Sequence, residues 1–134
     1  MSNCIHIETA AQAAAMFRAA LPKKQKEERV FVLPLGGDGK VLAKPILVSV
    51  GHKDGTATID AGAIFREALK AGAEEIIVAH NHPSGDLTPS KADIAATTKL
   101  REAADLLSVP LIDHIILGRG GAFRSLSEPL AIIG

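Results

Sequence analysis

The sequence contains few aromatic residues and almost no cysteine. It has four Phe and neither Trp nor Tyr, so it offers few of the rings on which nucleic-acid-binding proteins stack bases. Cys4 is the single cysteine, which excludes an internal disulfide and a zinc site built from several thiolates. Lys and Arg number 15, as do Asp and Glu, so the chain has no net charge to attract nucleic acid. We therefore expect no nucleic-acid partner.

Long hydrophobic runs are also missing from the sequence. No apolar run approaches the ~18 residues that a membrane-spanning helix requires, and no charged segment leads into an apolar signal-peptide core. We therefore expect a cytoplasmic protein without membrane contact. A hydrophobic content of 47% with 22% charged residues is typical of a globular protein. We expect a single domain over residues 1–134.

The spacing of the apolar residues predicts three helices and five strands. The helices are predicted over residues 9–21, 60–71 and 90–107, and the strands over residues 30–35, 41–50, 75–79, 111–117 and 122–126. Gly36, Gly37 and Gly39 favour a hairpin turn, because no helix follows them as it would follow a phosphate-binding loop. The order αββαβαββ predicts an α/β fold in which helices pack on a mixed sheet.

Two histidines stand at the end of the third predicted strand. His80 and His82 are separated by one residue, and side chains two apart on an extended chain point to the same side. Pro83 then ends the strand. The two imidazoles can therefore converge on one metal ion.

An acidic residue lies at the start of the last predicted helix. The apolar row of this helix consists of Ala92, Ala96, Leu100, Ala103 and Leu107. Asp93 borders that row, so its carboxylate can lean toward the end of the strand. Two imidazoles and one carboxylate would leave a fourth tetrahedral position for water, as in catalytic zinc sites. Zinc would make that water a nucleophile near neutral pH.

Each part of this pattern also has a purely structural explanation. Ser90 and Asp93 have the spacing of a capping box, in which the two side chains bond the backbone at a helix start. His80 and His82 could be histidines that form hydrogen bonds at the end of a strand. The residues alone leave the metal site and these structural roles open as alternatives.

The spacing of the polar residues resembles a known family signature. His-x-His, seven residues, Ser, two residues and Asp is similar to the JAMM motif of the JAB/MPN metalloproteases. The fuller string at residues 82–93 resembles the bacterial RadC-type branch, and the similarity extends over residues 7–128. It includes Asp113 with His114 and the closing segment at residues 123–126.

This resemblance implies a fold and a reaction. It implies an α/β fold of the JAB/MPN, deaminase-like kind, and hydrolysis of peptide or isopeptide bonds. Zinc would be bound by His80, His82 and Asp93. A protein or peptide would be the substrate.

The resemblance also implies two catalytic residues. The family's general base is a glutamate just before the first strand, a position that falls on Glu28. A shift of one residue would name Glu27 instead. Ser90, at the serine position of the motif, would donate a hydrogen bond to the oxyanion. For His114 we expect a place beside the ligands or in the core, and for His52 a solvated turn.

The chain also departs from the RadC-type pattern. Such proteins usually carry a helical, DNA-binding-like region before this domain, and we expect none here. Residues 60–63 lack the His-Pro-Arg-Glu-like helix start that is common in the family. These departures leave the substrate open, together with a protein partner or a homodimer. The apolar residues 106–111 and 129–133 could contact a partner, although core packing is favoured.

Two other functions remain as alternatives. One is a noncatalytic interaction domain, because JAB/MPN-like folds also serve as scaffolds. The other is a DNA-repair factor, the role attached to RadC-type names. The retained His, Ser and Asp argue against a scaffold, and the balanced charge argues against DNA binding. A zinc nucleobase deaminase is excluded, because it requires His-x-Glu and Pro-Cys-x-x-Cys segments.

Overall fold

The computed structural model describes residues 4–51 and 59–127. Within these ranges it contains three helices and five strands in the predicted order αββαβαββ. The elements are α1 (Ala10–Ala19), β1 (Arg29–Leu35), β2 (Ile46–Val50), α2 (Ala61–Lys70), β3 (Glu75–Asn81), α3 (Lys91–Leu107), β4 (Leu111–Leu117) and β5 (Phe123–Ser125). Two predicted features, His52 and the tail at residues 129–133, lie outside the described residues.

The five strands form one mixed sheet in the order β2-β1-β3-β4-β5. β3 and β4 are parallel, and every other neighbouring pair is antiparallel. A parallel pair requires a crossover connection, which α3 supplies between β3 and β4. The predicted α/β fold with a mixed sheet is therefore confirmed.

Both faces of the sheet are covered by helices. On one face, Phe17 of α1 packs with Leu33 and Ile115. On the other face, Ile64 of α2 and Leu100 of α3 belong to the same apolar cluster as the strand residues. Burial on both faces explains the continuous apolar runs at residues 30–35 of β1, 76–79 of β3 and 115–117 of β4. No helix among the described residues has the length and hydropathy to span a membrane.

β2 starts later than predicted, at Ile46 rather than at residue 41. Val41 forms only an isolated bridge with Leu35. Pro34, between these pairings, accepts a bond from the Leu42 N–H at 3.0 Å but has no N–H of its own to donate in return. Pro45 lacks an N–H in the same way, so a continuous ladder cannot form along this stretch.

The buried side of α3 differs from the predicted apolar row. Asp93, Leu100 and Ala104 are buried, whereas Ala92 and Leu107 are exposed. The inward row is therefore shifted by about one residue, and Asp93 lies within it rather than at its border. Alanine buries little apolar area, so a row built mainly of alanines fixes the helix rotation weakly.

The apolar stretch at residues 106–111 divides between core and surface. Val109 and Leu111 are buried, which agrees with the favoured core packing. Leu106 is 87% exposed. Ser108 lies between the exposed Leu106 and the buried Val109, and it ends α3 in the left-handed conformation with φ 58°.

Candidate metal centre

The end of β3 positions the two histidines. β3 continues past its predicted end to Asn81, so His80 lies inside the sheet, between Val30 of β1 and Ile116 of β4. The alternation of a strand places His80 on the same face as Val78, toward α2 and α3. His82 follows directly after the strand, and its N–H donates to the Leu117 carbonyl at 3.0 Å.

The first turn of α3 supplies the carboxylate. Ser90 caps the helix, and its Oγ accepts a hydrogen bond from the Asp93 N–H at 3.0 Å. Asp93 Oδ2 accepts in return from the Ser90 N–H at 2.9 Å. The same carboxylate faces both imidazoles, with Oδ1 3.2 Å from His80 Nε2 and Oδ2 3.1 Å from His82 Nε2. The capping box and the candidate site therefore share one side chain.

The three groups have the spacing of ligands around a single ion. His80 Nε2 and His82 Nε2 are 3.1 Å apart, close to the two nitrogen-to-oxygen distances given above. Ligands at 2.0–2.1 Å from a tetrahedral zinc ion stand about 3.3 Å from one another. Glu28, His80, His82 and Asp93 each offer one ligand atom, and these atoms all lie within 4.8 Å of one another. The donor set and its spacing fit a metal ion.

The hydrogen bonds of His82 orient its lone pair toward the site. Its Nδ1 lies 2.7 Å from the Asp86 carbonyl oxygen. A carbonyl only accepts, so Nδ1 carries the hydrogen and neutral His82 presents Nε2 as a bare nitrogen. Such a bond on the far nitrogen is usual for histidines that bind metals. The loop containing Asp86 is shaped by Ser84, whose Oγ accepts from the Asp86 N–H at 3.1 Å.

The charges of the site favour a bound cation. Burial alone would raise the pKa of Asp93, but the adjacent imidazoles of His80 and His82 outweigh burial and hold this pKa well below its ordinary value. The hydrogen bond that protonated His82 donates to Asp93 raises the pKa of His82, against the opposing effect of burial. The carboxylate thus stays ionised and attracts either a metal ion or a proton on His82.

Glu28 approaches the cluster from the segment before β1. It is 6% exposed, and its Oε1 lies 3.9 Å from His80 Nε2. Burial raises the pKa of Glu28, although His80 and His82 oppose the rise. The neighbouring Glu27 is instead half exposed and pairs with Arg29 at 3.6 Å. The structure therefore brings Glu28, and not Glu27, to the histidines.

Asn81 holds the backbone on both sides of Glu28, a role that sequence reasoning did not identify. Asn81 is fully buried. Its Oδ1 accepts from the Arg29 N–H at 2.7 Å, and its Nδ2 donates to the Glu27 carbonyl at 3.1 Å. The sequence did contain one signal for a separate role of Asn81. Side chains alternate along a strand, so Asn81 points away from His80 and His82 and cannot belong to their ligand set.

His114 lies beside the site rather than in the ligand set. It is fully buried on β4, and its Nε2 is 2.9 Å from His80 Nδ1. Burial lowers the pKa of His114 to about 3, so this side chain is neutral at physiological pH. Thr97 contacts the other nitrogen of its ring, a contact that the sequence analysis also missed.

Comparison with known proteins connects this geometry to a family. Residues 7–130 match the family model of the RadC-like JAB domain. A UPF0758 protein of Carboxydothermus hydrogenoformans is 47% identical over 106 residues, which cover 79% of this chain and 46% of that protein. A UPF0758 protein of Actinobacillus pleuropneumoniae is 40% identical over 116 residues, which cover 87% of this chain and 51% of that protein. The chain thus spans about half the length of these relatives.

Proposed function

Because the chain belongs to the RadC-like JAB domain family, we propose that it is a zinc-dependent hydrolase that cleaves peptide or isopeptide bonds. One observation carries this proposal. Two imidazoles and a carboxylate stand at ligand spacing, and the buried carboxylate of Glu28 lies 3.9 Å from one of the imidazole nitrogens. Three ligands with a base beside a vacant fourth position are typical of catalytic zinc centres.

Zinc is the metal that this donor set favours. Two imidazole nitrogens and one carboxylate oxygen suit zinc better than magnesium or calcium, which prefer six or more oxygens. His80, His82 and Asp93 would hold the ion. When bound, zinc would supply a Lewis acid and a water ligand with a pKa lowered to about 7.

Glu28 would act as the general base and then as the general acid. Its carboxylate takes a proton from the attacking water and delivers it to the leaving amine. A raised pKa suits this exchange, because a base is most effective when its pKa lies nearer the working pH. Asn81 would keep the carboxylate in place by holding the flanking backbone.

Ser90 would stabilise the oxyanion that forms when water attacks the carbonyl. Its Oγ accepts a hydrogen bond from the Asp93 N–H, so the hydroxyl hydrogen remains available to donate. Ser90 is exposed, and a substrate carbonyl can therefore reach it. Helix capping and oxyanion stabilisation use different atoms of the same hydroxyl and are compatible.

Two cavities near the site offer room for the residues that flank a scissile bond. One, of about 200 Å³, is lined by Pro89, Ile94, Thr97, Thr98, Arg101 and Leu126. The other, of about 290 Å³, is lined by Lys23, Gln25, Pro83, Arg119 and Gly120. Pro89 directly precedes Ser90 and Pro83 directly follows His82. An extended protein or peptide segment is the substrate shape that this arrangement supports.

A pair of neighbouring substitutions tests the proposal. Glu28→Gln should retain about one zinc ion per chain and lose turnover by roughly 10²–10⁴-fold, measured on a panel of peptides and isopeptide-linked conjugates. Glu27→Gln is the matched control, because the same change is made one residue away on a half-exposed side chain that lies outside the histidines' ligand set and pairs with Arg29. Equal effects of the two substitutions would remove Glu28 from the mechanism. A wild-type chain that binds no zinc would favour the noncatalytic interaction domain instead.

A further inference from the structure

A chain of buried hydrogen bonds leads from His80 into α3. His80 Nδ1 lies 2.9 Å from His114 Nε2, and His114 Nδ1 lies 2.7 Å from Thr97 Oγ1. Thr97 Oγ1 in turn donates to the Asp93 carbonyl at 3.0 Å. The three contacts connect the zinc-facing histidine to the backbone of the residue that provides the carboxylate ligand.

One direction of donation along this chain leaves His80 Nε2 bare, and it starts from the Thr97 hydroxyl. In that direction Thr97 gives its single hydroxyl hydrogen to the Asp93 carbonyl, which can only accept, rather than to His114 Nδ1. Thr97 Oγ1 is then the acceptor for a hydrogen on His114 Nδ1. Neutral His114 carries one ring hydrogen, so its Nε2 is bare and accepts from His80 Nδ1. His80 is left with a bare Nε2, the atom that lies 3.2 Å from Asp93 Oδ1.

We propose that Thr97 and His114 are positioning residues, which keep the hydrogen of His80 on Nδ1 and its Nε2 lone pair free for the metal. This inference rests on the proposed zinc site. The reverse order of donors would place a hydrogen on His80 Nε2, where it occupies the lone pair that zinc needs. Partners of this kind raise metal affinity because they fix both the ring orientation and the tautomer of a ligand.

Thr97 can be tested against an adjacent, matched residue. Thr97→Val keeps the side-chain shape and removes the acceptor for the His114 hydrogen, so zinc should bind about 10–100-fold more weakly. Thr97→Ser keeps the hydroxyl and should bind zinc within about threefold of wild type. Thr98→Val is the control, because Thr98 forms the same type of bond to the Ile94 carbonyl, at 3.3 Å, and faces solvent.

The positions of the ring hydrogens provide a readout that is independent of activity. Side-chain ¹H–¹⁵N spectra of the folded wild-type chain should show the His114 hydrogen on Nδ1, with and without zinc. A second pair of variants extends the test if Thr97→Val does not fold. His114→Gln keeps an acceptor near the Nε2 position and should retain more zinc affinity than His114→Leu.

The outcomes separate this inference from the proposed function. A His114 hydrogen on Nε2 in the wild type, or equal zinc affinities of Thr97→Val and Thr98→Val, would overturn the positioning role. A protein that binds zinc, binds it more weakly after Thr97→Val and cleaves no substrate would support the positioning role and count against the hydrolase. If the wild type bound no zinc, both the proposed function and the metal-positioning role would fail.

Discussion

Two helices of this protein start with the same local device but in different surroundings. Thr9 caps α1 and forms a capping box with Gln12, and Ser90 caps α3 and forms a capping box with Asp93. In both boxes the side chain of the third helical residue accepts a hydrogen bond from the backbone N–H of the cap residue. The two boxes therefore serve the same purpose for their helices, which is to satisfy N–H groups that lack partners in the helix.

The difference lies in what faces each box. Gln12 is exposed, and its Oε1 accepts from the backbone N–H groups of Glu8 and Thr9. Asp93 is buried, and its oxygens face two imidazoles at 3.1 and 3.2 Å. A capping motif therefore shows where a helix starts, and the tertiary neighbours of its third residue decide whether it also forms a site.

The largest effect on zinc affinity is expected from making the Ser90/Asp93 box of α3 (the second box) resemble the Thr9/Gln12 box of α1 (the first box). Asp93→Asn keeps an acceptor for the Ser90 N–H but removes the negative ligand, so zinc affinity should fall by more than the ~10–100-fold expected for loss of an outer partner. Gln12→Glu makes the opposite exchange in α1 and should leave zinc affinity unchanged. Calorimetric titration of both variants with zinc checks the pair. Retained affinity in Asp93→Asn would show that the two boxes are equivalent.

The next effect is a pH dependence that only the second box should show. The pKa of His82 is raised above its ordinary value, so the zinc-free protein gains stability from protonated His82 below pH ~6.5 and loses it as pH rises through the folded pKa. Zinc requires neutral His82, so its affinity should rise with pH, about tenfold per unit while His82 remains protonated.

Thermal unfolding at several pH values measures both trends. With a chelator present, the unfolding temperature should decrease as pH rises through the raised pKa of His82. With buffered free zinc, the gain in unfolding temperature should instead increase with pH. A zinc-induced gain that stays constant across this range would contradict competition between a proton and the metal.

The smallest effect is expected where the two boxes are alike. Thr9→Ala and Ser90→Ala each remove a helix cap, so each should lower the free energy of unfolding by about 1 kcal/mol in the presence of a chelator. Urea unfolding of the two variants provides the measurement. A much larger loss for Ser90→Ala would mean that the second box contributes stability beyond capping even without metal.

Most of the fold and two of the three proposed metal ligands could be predicted from local sequence patterns. The element order, the mixed sheet and the converging His80 and His82 follow from apolar periodicity and from alternation along a strand. The shifted face of α3 was missed because its predicted row relied on small alanines. The late start of β2 depends on Pro34 and Pro45, neither of which can donate to the ladder.

Contacts between distant segments could not be predicted in the same way. Asn81 bonds backbone 52 residues away along the chain, and Thr97 bonds a ring 17 residues away. Alternation along the strand turns Asn81 away from the histidines, but the local sequence does not identify the partner of Asn81 or of Thr97, because both partners depend on how strands pair and on how α3 crosses the sheet. The resemblance to a family named Glu28, and the structure places it beside His80.

The zinc content of the purified chain tests the central claim most directly. Elemental analysis of protein prepared without chelator, followed by zinc titration of the stripped chain, should give about one tightly bound ion per chain. Replacing His82 by Ala should abolish that binding. A chain that contains no zinc and takes up none on titration, or that binds it equally well without His82, would contradict the account.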